Sequence, residues 1–241
     1  MSVQYSPYEK SAAYYDAIYG QKNYETEAAQ LLSFIQETLA DAQTYLEVGC
    51  GTGNYLKHLQ HHFACTGADL SPPMLEVAAR KLEGIELLTA DMRTLALGRR
   101  FDVVASLFSS IGYVRTIDEL NRTIVAMATH LKPGGLLVVE SWITPDQWRP
   151  QEQVHSIMIA DRPEQKICRM CVSEQRGRFA VMPMHHLIGT LDGASHFVEV
   201  HEMLLIEPRE YRDALVMAGL EDVRFIADLL PRGAWVGCAP S

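Results

Sequence analysis

Residues 46–53 read Leu-Glu-Val-Gly-Cys-Gly-Thr-Gly, a run in which a strand gives way to three glycines at alternate positions. Gly49, Gly51 and Gly53 let the chain turn tightly and let its backbone approach a ligand closely. A turn of this kind serves a nicotinamide dinucleotide or a flavin equally well, so its neighbours must discriminate. Glu47, just ahead of the first glycine, would repel a pyrophosphate and suits a cationic amino-acid group. Asp69, at the end of the next apolar segment, is positioned to accept hydrogen bonds from ribose hydroxyls. After the third such segment comes Ala90-Asp91-Met92, where Asp91 can accept from an adenine amino group and Met92 can pack on the ring. Three ligand-facing strand ends in register are far more specific than one glycine motif.

Those side chains need a scaffold that brings strand ends together. The pattern predicts strands at Thr44–Val48, Phe63–Ala68, Ile85–Leu88, Phe101–Leu107 and Leu136–Ser141, spaced by helices. Ser71 is a good helix cap, with Pro72 or Pro73 in the first turn. Ile117–Leu131 reads as a helix closed by the stop signal Lys132-Pro133-Gly134-Gly135. Strands alternating with helices imply right-handed crossovers and a parallel sheet. From residue 154 to 206 the pattern is instead all strand, around Val154–Ala160, Lys166–Glu174, Phe179–Ile188 and His196–Ile206. Arg176-Gly177-Arg178 and Asp192-Gly193 are the turn candidates. A helix from Pro208 to Gly219 and strands near Val223–Ala227 and Ala234–Cys238 finish the chain. The organisation expected is a core over 1–150 that starts with aromatic-rich lid helices, an antiparallel β insertion over 151–206, and a return to the core over 207–241. The insertion serves as a substrate cover or a dimer face.

Composition narrows the partners. The 241 residues are 48% hydrophobic and carry a formal net charge of −9. An acidic chain is a poor binder of polyanions, so nucleic acid is not the expected substrate. No apolar run approaches the roughly 20 residues of a membrane-spanning helix. The polar N-terminus lacks a signal-peptide core, and the 5 cysteines are an odd number. Reduced thiols and a cytoplasmic location are therefore expected.

The motifs Glu-Val-Gly-Cys-Gly-Thr-Gly, Ala-Asp-Leu-Ser, Ala-Asp-Met and Leu-Lys-Pro-Gly-Gly together resemble the class I S-adenosylmethionine methyltransferases. The resemblance is strong over roughly residues 40–141. It implies a doubly wound, mostly parallel seven-stranded Rossmann-like sheet with one antiparallel strand near the C-terminus. By that resemblance Gly49, Cys50, Gly51 and Gly53 border the cofactor S-adenosyl-L-methionine. Asp69 and Leu70 hold its ribose end, Asp91 and Met92 read adenine, and Glu47 and Leu107 complete the site.

Further segments resemble the N-methyltransferases of nucleotide-linked deoxyamino sugars. They are Tyr15-Asp16 with Tyr19 and Tyr24, Ser106 to Tyr113, His196 to His201, and Arg232 to Gly237. This implies that Tyr15 and Tyr24 close the cofactor site from a lid. It also implies that Tyr113 lies beside the transferring methyl, and that Arg232, with Trp142 nearby, faces a substrate diphosphate. Arginine suits that role because its planar fork pairs with phosphate oxygens. Aromatic rings suit a sulfonium because a ring face attracts a cation.

An amine with a free lone pair attacks a methyl group without further activation, so alignment and exclusion of water would supply most of the acceleration. Tyr15 or Tyr113 can hold the amine, but an ordinary phenol titrates near about 10 and is a poor base. The proton is expected to leave to water. His130, at a helix end where an imidazolium favours the dipole, is expected to be structural. Cys168-Arg169-Met170-Cys171 has metal-like spacing but no second pair, and alternation along strands accounts for His185, His186, His196 and His201, so no metal is expected. The expected partner is a small-molecule amine, with a homodimer possible. A different nitrogen, oxygen or carbon acceptor remains an alternative, and a non-catalytic cofactor-binding module a more distant one.

Overall fold

The structure, a computed structural model, describes residues 4, 5, 7–149 and 155–241. The expected strand start at Val154 and the expected domain boundary between residues 150 and 151 lie outside the described residues.

Two sheets organise the chain. The first has seven strands in the order β12-β13-β6-β5-β2-β3-β4. These are β2 (Thr44–Val48), β3 (Ala64–Asp69), β4 (Glu86–Thr89), β5 (Phe101–Ser106), β6 (Leu131–Glu140), β12 (Glu221–Ile226) and β13 (Ala234–Cys238). β2 to β6 run parallel, and β13 is antiparallel to both β6 and β12. Side chains alternate across this sheet. Tyr45, Val103 and Val138 pack under α2 (Tyr24–Thr38), α3 (Leu56–Leu59) and α4 (Pro72–Ala79). Leu46, Val104 and Leu137 pack against α5 (Ile117–Ala128) and α6 (Pro208–Met217). Both faces are covered, which is why these strands read as continuous apolar runs. The chain steps outward from β2 through β3 to β4 and then returns to β5 on the other side of β2. The loops after β2 and β5 therefore open a crevice between them, where doubly wound sheets take their ligands.

The second sheet holds β7 (His155–Asp161), β8 (Lys166–Val172), β10 (Phe179–Thr190) and β11 (Gly193–Leu204), all antiparallel, with the short β9 (Glu174–Arg176) on β10. Turns fall at both expected places, with positive φ at Gly177 and Gly193. The sheet is not wholly antiparallel, however. A two-residue strand, β1 (Gln4–Tyr5), pairs parallel to β11. Two residues carry too little pattern for sequence periodicity to register. α1 (Ala12–Ile18) then packs onto α4 and the second sheet.

Two other expectations are corrected. The helix after Thr116 ends at Ala128, and Leu131 already pairs with Phe101. Lys132-Pro133-Gly134-Gly135 is a bulge within β6, because the register jumps from Phe101–Leu131 to Val103–Leu136. Gly134 supplies the positive φ, and its amide donates to the carbonyls of Ala239 and Pro240. His130 ties the helix end to the loop before β5: its Nε2 accepts the Leu97 amide at 2.8 Å and its Nδ1 lies 2.7 Å from the Ala126 carbonyl.

Gly53 does not border the crevice as expected. It turns with φ 72°, and a Cβ there would come 2.4 Å from the Leu82 side chain. Its bareness serves the packing of the chain on α4. Gly53→Ala is expected to destabilise the protein by about 1–3 kcal/mol, read from the midpoint of urea unfolding.

Candidate functional site

A cavity of about 760 Å³ opens at the crevice and continues onto the second sheet. Every expected site residue except Gly53 lines it. Strand ends supply Glu47, Asp69 and Leu70, and the loops beyond supply Gly49, Cys50, Gly51, Asp91, Met92 and Leu107. Tyr15 and Tyr24 come from the N-terminal helices, and Tyr113, Trp142 and Arg232 from the far side.

Asp69 shapes the glycine turn. One carboxylate oxygen accepts the Gly51 amide at 2.7 Å and the other accepts the Ser71 amide at 2.8 Å. Burial raises its pKa against the pull of those backbone bonds. Glu47 is buried beside it, pushed well above the carboxylate range by burial and then by Asp69, and its Oε2 has no hydrogen-bond partner. Asp91 is already engaged: Arg93 grips it through Nε at 2.9 Å and a terminal nitrogen at 2.6 Å, and Arg93 also donates its own amide. That pairing lowers the Asp91 pKa and leaves the carboxylate fewer free lone pairs than the sequence suggests.

The glycine turn touches the loop after β5, where Ser110 closes on Gly49 so tightly that a Cβ on the glycine would sit 2.7 Å from the Ser110 Cβ. Phe108 and Ser109 both have positive φ, at 50° and 62°. Such backbone is costly for residues with side chains and persists only when neighbours enforce it. Here Glu140, fully buried on β6, accepts the Phe108 amide at 2.5 Å, and the Ser109 hydroxyl donates to the Ser141 carbonyl. Arg232 rests over the rings of Phe108 and Trp142, 5.5 and 5.1 Å from their centroids, with a guanidinium nitrogen 4.0 Å from Glu140.

The N-terminal segment forms an aromatic wall. Tyr15 meets Tyr8 at 5.8 Å and Tyr19 at 4.7 Å between centroids, and Tyr19 meets Phe108 edge-on at 5.3 Å. Asp16 latches this wall to the core by accepting from Thr52 at 2.6 Å, Asn54 at 3.0 Å and Lys81 at 2.5 Å.

The second sheet is the floor, and its functional side chains were not identified from sequence. Alternation sends Arg169 and Cys171 of β8, Met182, Met184 and His186 of β10, and Glu199, His201 and Met203 of β11 to one face. Cys168 points to the opposite face from Cys171, so the two cannot share a metal. Arg169 is 7% exposed and lines the cavity. Its donors reach the Tyr19 hydroxyl at 2.8 Å and the Met158 sulfur, its Nε has no partner, and no carboxylate among the described residues pairs with it. A buried cation without a counter-charge is costly. The signal was present as polar residues at inward positions of strands, where apolar ones are the rule.

Among the described residues, five that line the cavity carry an unpartnered buried polar atom, one of them the Tyr24 hydroxyl on α2. The Glu47 acceptor lies at the strand-end side, and the Trp142, Trp148 and Arg169 donors lie toward the floor. Such a cavity can hold a cationic group at one end and an anionic one at the other.

A family model described as a methyltransferase domain matches residues 46–135. The chain is 35% identical to a dTDP-3-amino-3,4,6-trideoxy-alpha-D-glucopyranose N,N-dimethyltransferase of Streptomyces venezuelae, over 90% of this chain and 91% of that one. Streptomyces venezuelae DesVI superposes with a TM-score of 0.88 at 34% identity, covering 95% of this chain and 98% of that one. The S-adenosylmethionine-bound amino pentose methyltransferase CalS10 of Micromonospora echinaspora gives 0.82 at 31% identity, covering 99% and 98%.

Burial raises the Glu140 pKa to about 7, although Arg232 pulls it down. A carboxyl held above its unfolded value favours folding while protonated, and that contribution fades as pH rises from about 4.5 through about 7. Glu140→Gln keeps the acceptor for Phe108 and abolishes the ionisation. It is expected to exceed the wild type in stability by up to about 3 kcal/mol at pH 8, closing to under about 1 kcal/mol at pH 5, by denaturant titration.

Proposed function

The chain belongs to the S-adenosylmethionine-dependent N-methyltransferases of nucleotide-linked amino sugars, and from that premise we propose that its own substrate is an amino sugar carried on a nucleoside diphosphate. The observation that carries this reading is the unpartnered Glu47 acceptor at the strand ends of one cavity and the unpartnered Trp142, Trp148 and Arg169 donors toward its floor. Glu47 suits the amino group of the cofactor, and Asp69 its ribose. Arg169 and Arg232 suit a diphosphate, as charge-assisted bonds to phosphate are the natural partners of guanidinium groups.

S-adenosylmethionine, held by Glu47, Asp69 and the turn at Gly49 and Gly51, would supply an electrophilic methyl for the amine nitrogen. The residues of the chain contribute position and enclosure. The rings of Tyr8, Tyr15, Tyr19 and Phe108 favour a cation and exclude water. Gripping the diphosphate at one end fixes where the amine rests at the other, which converts an encounter into an alignment. Burial raises the pKa of Tyr15 and of Tyr113 far above the phenol value, so each serves as a neutral hydrogen-bonding group.

No helix among the described residues is long and apolar enough to cross a membrane, and all 5 cysteines are free, which fits a reducing cytoplasm. On the outer face of the second sheet Ile157, Ile159 and Leu187 are 65%, 68% and 51% exposed, with Met170 and Val172 beside them. We assign this face to a second copy of the chain, since a contiguous apolar patch on a sheet marks an association surface.

Calorimetry tests the substrate reading. S-adenosylhomocysteine and thymidine diphosphate are both expected to bind. Arg169→Met should weaken the diphosphate about tenfold to a hundredfold and leave S-adenosylhomocysteine unchanged. No binding of thymidine diphosphate by the wild type, and no methylation of dTDP-linked amino sugars, would overturn it. For the dimer, Ile159→Asp is expected to convert the sedimentation coefficient to that of a monomer.

A further inference from the structure

Behind Tyr113 lies a chain of polar groups that neither cofactor nor diphosphate binding requires. The Tyr113 hydroxyl is 2.8 Å from the Tyr8 hydroxyl and 2.6 Å from Nδ1 of His201. His201 is 2% exposed, does not line the cavity, and packs edge-on against Tyr8 at 4.9 Å. Its Nε2 has no hydrogen-bond partner and lies 3.9 Å from Glu199. Glu199 is fully buried and accepts from the amides of Tyr8, Lys10 and Ser11 and from the Ser11 hydroxyl. Burial opposes its ionisation, but the His201 side and those donors outweigh burial and hold it at about 2. A buried carboxylate satisfied by four donors thus faces a buried imidazole, and the imidazole faces the cavity through one phenol.

An amine brought to a sulfonium must first give up a proton, because an ordinary alkylammonium titrates near about 10 and has no lone pair to offer. We propose that His201 receives this proton through Tyr113, acting as a positioning residue for the attacking nitrogen. This rests on the reading above that the substrate is an amine. In the step, the ammonium N–H bond breaks and its proton bonds to the Tyr113 oxygen as the original Tyr113 proton passes to Nδ1 of His201. The phenol is neutral before and after, the amine gains its lone pair, and the imidazolium lies opposite Glu199. Tyr113 cannot itself keep the negative charge, since burial and then its neighbour Tyr8 push its pKa far up. It can pass a proton on.

The other charged and titratable groups around His201 fit this role. His186 on the adjoining β10 shares its face and is held at about 4, by burial first, so it stays neutral and does not compete for the proton. Arg169 lies one strand further, opposite His186. Tyr8 and Tyr113 cover the ring from the cavity side, and Glu199 is the nearest anion. In the sequence His201 stands in a segment of alternating strand residues, and nothing local to it shows the contact with Tyr113.

The test uses the full-length enzyme with a dTDP-linked amino sugar. His201→Asn keeps an acceptor near the Nδ1 position for the Tyr113 hydroxyl but cannot take the proton. It is expected to lower kcat about a hundredfold near pH 7 with KM for the sugar little changed, and to recover above pH 9 as the amine deprotonates by itself. Tyr113→Phe, which leaves His201 in place, is expected to show the same shift of the acid limb to higher pH. In wild type labelled with 15N-histidine and saturated with S-adenosylhomocysteine, adding the amino sugar should move the His201 ring nitrogens to imidazolium shifts. The analogue with hydroxyl in place of amine should not. Variants that lose rate equally at every pH, or a His201 ring that stays neutral with the amine bound, would overturn the proposal. A wild type that binds S-adenosylhomocysteine but methylates no amino sugar would overturn the substrate reading and this inference with it.

Discussion

One buried carboxylate ties the molecule's functional halves together. Glu199 lies on the inner face of the second sheet, yet most of its hydrogen bonds go to the N-terminal segment at Tyr8, Lys10 and Ser11. Those bonds offset the cost of burying the charge, and they do so only if the segment lies across the floor. The aromatic wall of the cavity, from Tyr8 through Tyr15 to Tyr19, follows from that anchorage. Asp16 makes the corresponding bond on the other side, to Thr52, Asn54 and Lys81. The N-terminal segment is thus held at both edges of the cavity by charge-assisted bonds, on one side to β11 and on the other to the turn after β2 and to Lys81.

The two sheets divide the chemistry. The parallel sheet offers carboxylates and bare backbone at its strand ends, which suits a ligand with hydroxyl and ammonium donors. The second sheet offers guanidinium, imidazole and thioether groups, and the loop after β6 adds the indoles of Trp142 and Trp148. Met182, Met184 and Met203 line the cavity between these polar groups, and methionine adapts its shape to irregular apolar surfaces. The loop from Leu107 to Tyr113 runs between the two sets, and its strained turn at Phe108 and Ser109 is fixed by Glu140 and Ser141 rather than by its own sequence.

How much of this the sequence disclosed follows from the range of each interaction. The crevice was legible because Glu47, Gly49, Gly51 and Asp69, which line it, lie within a few residues of strand ends that hydrophobic pattern locates. Asp91 was legible as a position, but its capture by Arg93 was not, since nothing in an Ala-Asp-Met-Arg string fixes a side-chain rotamer. Gly53 looked like its two neighbours and differs only in facing Leu82. The bulge at Lys132 to Gly135 carries the residues of a helix stop and needs the partner strand β5 to be recognised as something else. The floor was hardest: strand existence was plain, but the inward set of Arg169, His186, Glu199 and His201 depends on register among three strands, and a single step of register inverts every face.

The parallel pairing of β1 with β11 has a consequence for the making of the protein. Tyr8 must wait for Glu199, 191 residues further along the chain. At ribosomal rates of roughly 5–20 residues per second, that delay is about 10–40 s. Throughout it, β1 and the amides of Tyr8, Lys10 and Ser11 lack their partners on β11, while strands β2 to β6 can already be completing their sheet. The residues ahead of α1 are thus among the last to find their place, although the Asp16 latch behind them can close as soon as Lys81 is made.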